Sequence, residues 1–230
     1  MLTNIIEIVI LSLVQGVSEF LPISSSAQLI VVSTLYEFSS SSLIIDVSLH
    51  FGSLLAIIFF FRKDLINIKD NQKLLLLMVF GSIPLIIVGY LLYRTELIYV
   101  LRDIKIIAWS TLIFGIILYF ADKSRFDKRI SSNLNLKVIL YIGLFQILAL
   151  IPGVSRAGIT ITAARIFKFN RFDSSKISFL LAIPALLGAS VLGLKDILNQ
   201  SFQFNYLVFL AIILSFLFSY FTVKFFLEYI

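Results

Sequence analysis

The feature that most constrains this chain is a set of five apolar segments, each long enough to cross the hydrocarbon core of a membrane. The segments lie at 43–61, 74–93, 105–121, 177–194 and 205–227. Hydrophobic residues make up 60% of the 230 residues and charged residues only 14%, whereas a soluble domain carries about 25% charged residues. The sequence therefore predicts an all-α polytopic membrane protein that forms a single integral membrane domain over 1–230.

The remaining composition excludes several classes of function. The chain has no cysteine, which removes disulfides, thiolate chemistry and cysteine-based metal sites. The net charge is +6, but the basic residues lie between apolar segments and form no patch. They therefore indicate topology in a lipid bilayer, and we expect no nucleic-acid partner. Residues 1–14 lack the basic region of a signal peptide, so we expect no cleaved leader.

Two further apolar stretches, at 15–28 and 146–160, are interrupted by polar residues. They read QGVSEFLPISSSAQ and QILALIPGVSRAGIT, so each has a Gln, then a Pro, then a serine-bearing turn. Proline breaks an incoming helix and suits the first turn of the next one. The pattern predicts two re-entrant hairpins, at 5–33 and 138–166, whose breaks line a polar cavity. Their second arms are expected at 23–33 and 154–166. The alternative is a pair of ordinary helix kinks.

The order of these segments predicts two repeats. The first repeat, 1–121, has a hairpin and three spans, while the second, 138–230, has a hairpin and two spans. An odd number of spans in the first repeat inverts the topology of the second. On this pattern we expect that a last helix is absent, either because the sequence is truncated or because this protein manages without it.

Basic residues are distributed unevenly between the connecting segments. The connections at 62–73, 121–137 and 165–176 hold thirteen Lys and Arg residues. The opposite connections hold four, which are Arg94, Arg102, Lys105 and Lys195. The positive-inside rule places the first set in the cytoplasm. The first hairpin then enters from outside and the second from the cytoplasm, so that their tips meet within the membrane.

Ionisable residues in the two breaks are the first candidates for chemistry. An arginine at membrane depth, such as Arg156, costs at least ~2.5–3.5 kcal/mol and marks a functional site, and its planar fork suits phosphate. Glu19 follows Gln15 by four residues, so both side chains share one helical face. Their oxygens are suited to a hard divalent cation such as Mg²⁺ or Ca²⁺. The alternative is that Glu19 and Arg156 only neutralise one another.

Hydroxyl groups strengthen the case for an anion site. Ser24, Ser25, Ser26, Ser155 and Thr160 follow the two breaks, where helix N-termini present free N–H groups. Serine in membrane helices is also a common packing residue, which is the alternative for each of them. The only histidine, His50, begins an apolar span and is either a base or a hydrogen-bonded packing residue.

At these two stretches the chain resembles the undecaprenyl-diphosphatase family, whose members carry (E/Q)xxxE, FLPxSSxxH and PGxSRSxxT. The matching residues are Gln15 and Glu19, then Phe20 to Ser26, and then Pro152 to Thr160. The resemblance implies a bacterial inner-membrane hydrolase that opens towards the periplasm. It would convert undecaprenyl diphosphate to undecaprenyl phosphate, recycle the carrier of cell-wall synthesis and confer bacitracin resistance.

The resemblance also implies roles for particular residues. Arg156 would hold the diphosphate, Ser25 would be the nucleophile, and Gln15 and Glu19 would bind a cation or activate the nucleophile. The residues that would bind phosphate are Ser24, Ser26, Gly153, Ser155 and Thr160. The chain departs from the family at Gln28, where a histidine is usual, and at Ala157, where a serine is usual.

Three classes of function follow from the sequence. The first is a phosphatase that acts on a polyprenyl diphosphate lipid. The second is a secondary transporter or lipid-carrier translocase, since inverted repeats with broken helices are typical of transporters. The third is an inactive membrane scaffold. The sequence leaves the oligomeric state open, and a homodimer is one of the states that it allows.

Overall fold

The computed structural model describes residues 2–40, 42–95, 103–198 and 206–230. These residues form helices in the order α1 (Leu2–Ser18), α2 (Ser25–Leu35), α3 (Leu43–Phe60), α4 (Arg62–Ile66), α5 (Ile68–Arg94), α6 (Ile104–Asp122), α7 (Ile130–Asn133), α8 (Leu136–Gln146), α9 (Arg156–Ile166), α10 (Arg171–Leu198) and α11 (Tyr206–Tyr229). A 3₁₀ turn at Ile147–Leu150 lies between α8 and α9. Within the described ranges no strand forms, and Lys128 and Phe169 make one isolated bridge.

The expectation of an all-α polytopic membrane protein is confirmed. Five helices in the described part of the chain are long and apolar enough to cross a membrane. They are Leu43–Phe60, Asn71–Arg94, Ile104–Asp122, Arg171–Ile197 and Tyr206–Tyr229. Their outward faces carry large exposed hydrophobic side chains, including Trp109, Phe209 and Phe221, as expected of a surface that contacts lipid. The inverted relation of the two repeats stays a prediction.

Each of the two interrupted stretches forms a pair of short helices. In the first, α1 ends at Ser18, residues 19–24 are not helical, and α2 begins at Ser25. In the second, α8 and the 3₁₀ turn precede a break at 151–155, and α9 begins at Arg156. A helix of 11 residues, the length of both α2 and α9, covers only about 17 Å, roughly half the thickness of the hydrocarbon core.

Serine caps set the starts of α2 and α9. The Oγ atom of Ser24 accepts a hydrogen bond from the backbone N–H of Ala27 at 3.4 Å, and that of Ser155 accepts one from Gly158 at 3.1 Å. A serine at this position satisfies a donor that the first helical turn leaves free. The second arms therefore begin at 25 and 156, two residues later than the 23 and 154 that the proline positions indicated.

Small residues bring α3 and α11 into close contact. A Cβ atom on Gly52 would lie 2.5 Å from the backbone oxygen of Ile212, so only glycine fits there. Ser219 donates a hydrogen bond to the Oγ of Ser53 at 2.9 Å, and Ser215 donates to the carbonyl of Leu49 at 2.6 Å. These contacts fix the face of α3 that meets the end of α1.

A buried arginine holds the far end of α9. Arg165 is 2% exposed, pairs with Asp122 at 3.0 Å, and donates to the carbonyl of Phe169 at 2.7 Å. It also donates to the carbonyl of Ser124. Because Asp122 ends α6, these bonds join α6 to α9, and Arg171 of α10 pairs with the same carboxylate at 2.8 Å. The C-terminal end of the helix that carries Arg156 is therefore anchored to α6.

Candidate active site

The carboxylate of Glu19 is the centre of the candidate site. It lies just after α1 and is 6% exposed. One oxygen, Oε1, accepts a hydrogen bond from Nη2 of Arg156 at 2.8 Å, and the other, Oε2, accepts one from Oγ of Ser25 at 2.7 Å. Since Ser25 and Arg156 are the first residues of α2 and α9, one carboxylate joins the N-termini of two helices.

Gln15 lies one turn before Glu19 and completes the acidic side of the site. Its Nε2 atom donates to Oε2 of Glu19 at 2.9 Å. The backbone N–H of Glu19 still bonds to the carbonyl of Gln15, which keeps the two side chains on one face just past the end of α1. The side chain is fully buried, and its Oε1 atom has no hydrogen-bond partner among the described residues. A buried amide oxygen without a donor can accept a hydrogen bond from a ligand or bind a cation.

The guanidinium group of Arg156 is held in place by protein oxygens. It donates to the backbone carbonyls of Ser178 and Glu19, each at 3.4 Å, in addition to its ion pair with the Glu19 carboxylate. The side chain is 12% exposed. Removal of one partner of a desolvated ion pair strongly lowers the stability of the protein, because the other charge is then buried alone.

The predicted phosphate-binding serines lie at the two helix starts. Ser24 and Ser155 are the capping residues, and Ser155 also donates to the carbonyl of Leu21 at 3.4 Å, which ties the two hairpins together. Ser26 is exposed, and its Oγ lies 3.3 Å from that of Ser24. The breaks therefore bring three hydroxyl groups close to the pair of helix N-termini.

Thr160 and Gly153 lie deeper in the second hairpin. Thr160 is fully buried, donates to the carbonyl of Arg156 at 2.8 Å, and lies 2.7 Å from Oγ of Ser178. Gly153 has a φ of +93°, which side chains rarely adopt, and a Cβ atom there would lie 2.5 Å from the carbonyl oxygen of Ile107. Gly153 therefore shapes the turn before Arg156, and Thr160 contacts the backbone of the first helical turn after it.

The structure adds two residues that the motifs did not place in the site. Ser178 of α10 contacts Thr160 through its hydroxyl and Arg156 through its carbonyl. His50 of α3 lies with Nε2 3.8 Å from Oε2 of Glu19 and Nδ1 2.8 Å from the carbonyl of Asp46. For His50 the sequence left a base and a packing residue as alternatives. His50 stood out as the sole histidine of the sequence, whereas no motif spacing placed Ser178 near the breaks.

The electrostatics of this arrangement favour an anion. Two helix N-termini, each with free N–H groups and a partial positive charge, meet around one carboxylate and one guanidinium. The carboxylate and guanidinium charges cancel, so the helix ends add a net positive potential. The fold and the site together define a polytopic membrane protein with a buried serine, carboxylate and arginine site suited to a phosphorylated ligand.

Comparison with known proteins identifies the family. The family model described as "Bacitracin resistance protein BacA" matches residues 8–230, and the chain belongs to this family. An undecaprenyl-diphosphatase of Pelagibacter ubique (strain HTCC1062) is 71% identical over 231 residues, which cover 100% of this chain and 90% of the relative. Undecaprenyl-diphosphatases of Alcanivorax borkumensis and Elusimicrobium minutum are 39% and 41% identical, over 96% and 98% of this chain and 89% of each relative.

Proposed function

We infer that this chain is an enzyme that hydrolyses undecaprenyl diphosphate to undecaprenyl phosphate and inorganic phosphate. Its membership of the family and its full-length similarity to undecaprenyl-diphosphatases support this activity. Recycling of the lipid carrier for cell-wall synthesis and resistance to bacitracin follow from the same family. The observation that carries the inference is the Glu19 carboxylate, which holds Ser25 on one oxygen and Arg156 on the other.

We propose that the diphosphate binds to Arg156 and to the N-termini of α2 and α9. A guanidinium forms paired hydrogen bonds to phosphate oxygens, and the N–H groups of the first turns of α2 and α9 add further donors. The proposed contacts around them come from residues of the two breaks, namely Ser24, Ser26, Gly153, Ser155 and Thr160. The isoprenoid tail would lie along the apolar outer surface, where it remains in lipid.

Ser25 is the proposed nucleophile. Its hydroxyl already donates to Glu19, so that carboxylate can take the proton as Oγ attacks the terminal phosphorus. A bond from Oγ to phosphorus forms, the bond from phosphorus to the bridging oxygen breaks, and undecaprenyl phosphate leaves. Water then attacks this phosphorus, the bond from Oγ to phosphorus breaks, and inorganic phosphate leaves with the protons of the water. Glu19 returns its proton to the Oγ atom of Ser25. Arg156 neutralises the charge that develops on the phosphoryl oxygens.

A divalent cation is a further part of the proposal. The donors available are the unpaired Oε1 of Gln15 and the carboxylate of Glu19, which are the oxygen types that Mg²⁺ and Ca²⁺ prefer. When bound, such an ion would supply positive charge to the phosphate oxygens. No group of three or more His, Cys, Asp or Glu side chains suited to a metal occurs in the described part of the chain. Substrate oxygens would therefore have to complete the coordination.

The proposed location is the inner membrane of a bacterium, with the site opening towards the periplasm. The concentration of basic residues in the connections at 62–73, 121–137 and 165–176 supports the cytoplasmic placement of that side. We also propose a homodimer as the assembly to be tested, with lipid and the polyprenyl diphosphate as the other partners.

Phosphate release from undecaprenyl diphosphate by the purified chain in detergent tests this function. We expect turnover by the wild type, strong stimulation by Mg²⁺ or Ca²⁺ after treatment with EDTA, and a loss of about 10³-fold in Arg156→Ala. Arg125→Ala is the matched control, because Arg125 is an exposed cation in the connection between α6 and α7. We expect it to retain wild-type turnover.

Absence of turnover from well-folded wild type would contradict the proposed enzyme. In that case, movement of the intact lipid across vesicle membranes would favour the transporter, and the absence of both activities would favour a scaffold. Equal losses in Arg156→Ala and Arg125→Ala would show that the effect follows net charge and not the site.

A further inference from the structure

A cavity lies at the end of the molecule that carries the basic connections. It has a volume of about 580 Å³, which is within the range of small-molecule sites. Its walls come from the last turns of α6 and α11 and the first turns of α10, and it reaches Pro22 of the first break and Ile161 in the middle of α9. Its lining does not include Glu19, Ser25 or Arg156, so the cavity is separate from the candidate active site.

Charged side chains meet at the end of the cavity, where α6 ends. Arg171 and the buried Arg165 both pair with the carboxylate of Asp122, at 2.8 and 3.0 Å. Lys123 lines the cavity beside them, is exposed, and makes no ion pair among the described residues. One carboxylate does not neutralise two guanidinium groups and an ammonium group, so these four side chains carry a net positive charge.

The rest of the lining is largely apolar and belongs to the membrane-spanning part of the chain. Gly115 and Leu118 of α6 and Phe226 of α11 line it, and a Cβ atom on Gly115 would meet no atom within 4 Å. Tyr119 and Tyr229 lie near the charged end and are 65% and 82% exposed, as is typical of tyrosines at a membrane interface. A basic pocket between spanning helices is an arrangement that binds the head group of an anionic lipid.

The polar groups of the cavity favour one kind of anionic lipid. A phosphate monoester carries about two negative charges at neutral pH, whereas the phosphodiester of a phospholipid carries about one. Apart from the charged residues, the hydroxyl groups in the lining are those of Tyr119, Tyr229 and Ser175, and Ser175 already donates to the carbonyl of Arg171. Few groups are therefore left to bind a glycerol or sugar head group, and a small, doubly charged head group on an apolar chain fits best.

We propose that this cavity is a second lipid site that binds a polyprenyl monophosphate. The phosphate would lie between Lys123 and Arg171, and the start of the isoprenoid chain would lie along α6 and α11. The proposal rests on the proposed function, whose product is a lipid of this kind. Because the cavity does not contain Arg156, product bound there leaves the diphosphate site free for the next substrate.

Native mass spectrometry of the full chain, released from detergent in the presence of undecaprenyl phosphate, counts the bound lipids. We expect two lipids on the wild type, one at Arg156 and one in the cavity. Gly115→Trp fills the cavity, so it should lose one lipid and keep phosphate release from undecaprenyl diphosphate. Gly188→Trp is the matched control, because a Cβ atom on Gly188 also meets no atom within 4 Å and this residue does not line the cavity.

The charge of Lys123 gives a second test that leaves the packing unchanged. Lys123→Gln should weaken binding of the cavity lipid about tenfold, because a charge-assisted hydrogen bond to the phosphate is lost. Lys123→Arg should restore the affinity. Lys137→Gln should bind as the wild type, because Lys137 is an exposed lysine in the same set of basic connections and lies outside the cavity. Phosphatidylglycerol should displace the cavity lipid less effectively than undecaprenyl phosphate does.

Arg156→Ala separates this proposal from the function on which it rests. It should lose phosphate release and one lipid, while the remaining lipid stays sensitive to Gly115→Trp. If Gly115→Trp and Lys123→Gln bind as many lipids as the wild type, and as tightly, only the present proposal is contradicted. Displacement by phosphatidylglycerol as effective as that by the monophosphate would also contradict it, because the cavity would then bind anionic lipids in general. If the wild type releases no phosphate, the proposed function fails, whereas loss of one lipid in Gly115→Trp would still support the second site.

Discussion

The two broken hairpins share one local design but carry different groups. In each, a serine caps the second helix and the next residue is the first of that helix: Ser24 and Ser25 in the first hairpin, Ser155 and Arg156 in the second. Ser25 and Arg156 thus occupy equivalent positions and bind opposite oxygens of Glu19, at 2.7 and 2.8 Å. Two equivalent turns therefore face one carboxylate, and one presents a hydroxyl group while the other presents a cation.

The second helices of the two hairpins differ in burial. Every residue from 157 to 165 of α9 is buried, whereas only Ala27 and Leu29 are buried in α2. The reason is packing: α9 contacts α6, α8 and α10, while α2 packs mainly against α1. Few buried contacts mean low local stability. The helix that carries Arg156 is therefore fixed in the core, whereas much of α2, which carries Ser25, is exposed and leaves room for a lipid substrate to approach.

The largest expected effect is on kcat and KM, and it distinguishes the equivalent positions Ser25 and Arg156. Ser25→Ala should lower kcat by about 10³-fold or more with little change in KM, because the hydroxyl is needed for bond formation. Arg156→Lys keeps the charge but loses the planar fork, so it should raise KM more than it lowers kcat. Steady-state phosphate release over a range of substrate concentrations measures both parameters.

Thr34→Ala is the control for Ser25→Ala, since it removes an exposed hydroxyl from the same helix. It should behave as the wild type. If Ser25→Ala raised KM and left kcat unchanged, the hydroxyl would bind substrate and not attack it, and the distinction between the two hairpins would disappear.

The membrane spans and the residues of the site were predictable from different kinds of sequence signal. The five spans followed from apolar length, which is a local property and needs no knowledge of packing. Gln15, Glu19, Ser25 and Arg156 stood out because ionisable or polar side chains are costly within apolar sequence. The structure brings these four residues together around one carboxylate.

Other parts of the site depend on packing between distant segments. His50 faces Glu19 because α3 packs beside the end of α1, and Ser178 reaches Thr160 because α10 packs on α9. No spacing in the sequence reports such contacts. The starts of α2 and α9 were also predicted two residues early, because proline marks where a helix cannot continue while the serine cap determines where the next one begins.

A second prediction tests the difference in burial. Ile159 of α9 is 3% exposed and Val31 of α2 is 41% exposed. Ile159→Ala should lower the free energy of unfolding by roughly 2 kcal/mol or more, because it leaves a cavity in a packed core. Val31→Ala should lower it by less than about 0.5 kcal/mol. Unfolding in mixed detergent micelles, followed by circular dichroism, measures both values, and equal losses would contradict a fixed second hairpin and an exposed first one.

The smallest expected effect concerns the two serine caps. Ser155→Ala removes both the cap of α9 and the hydrogen bond to Leu21 that joins the hairpins, whereas Ser24→Ala removes a cap bond of 3.4 Å on an exposed helix. We expect the first to lower the free energy of unfolding by about 1–2 kcal/mol and the second by about 0.5 kcal/mol. The same unfolding measurement without substrate gives these values, so that any role of either serine in phosphate binding does not contribute.

Replacement by Asn, which also caps helices, should restore most of the stability at both positions. If Ser24→Ala proved the more destabilising of the two, the first hairpin would hold the site together, and the contrast drawn from burial would be reversed.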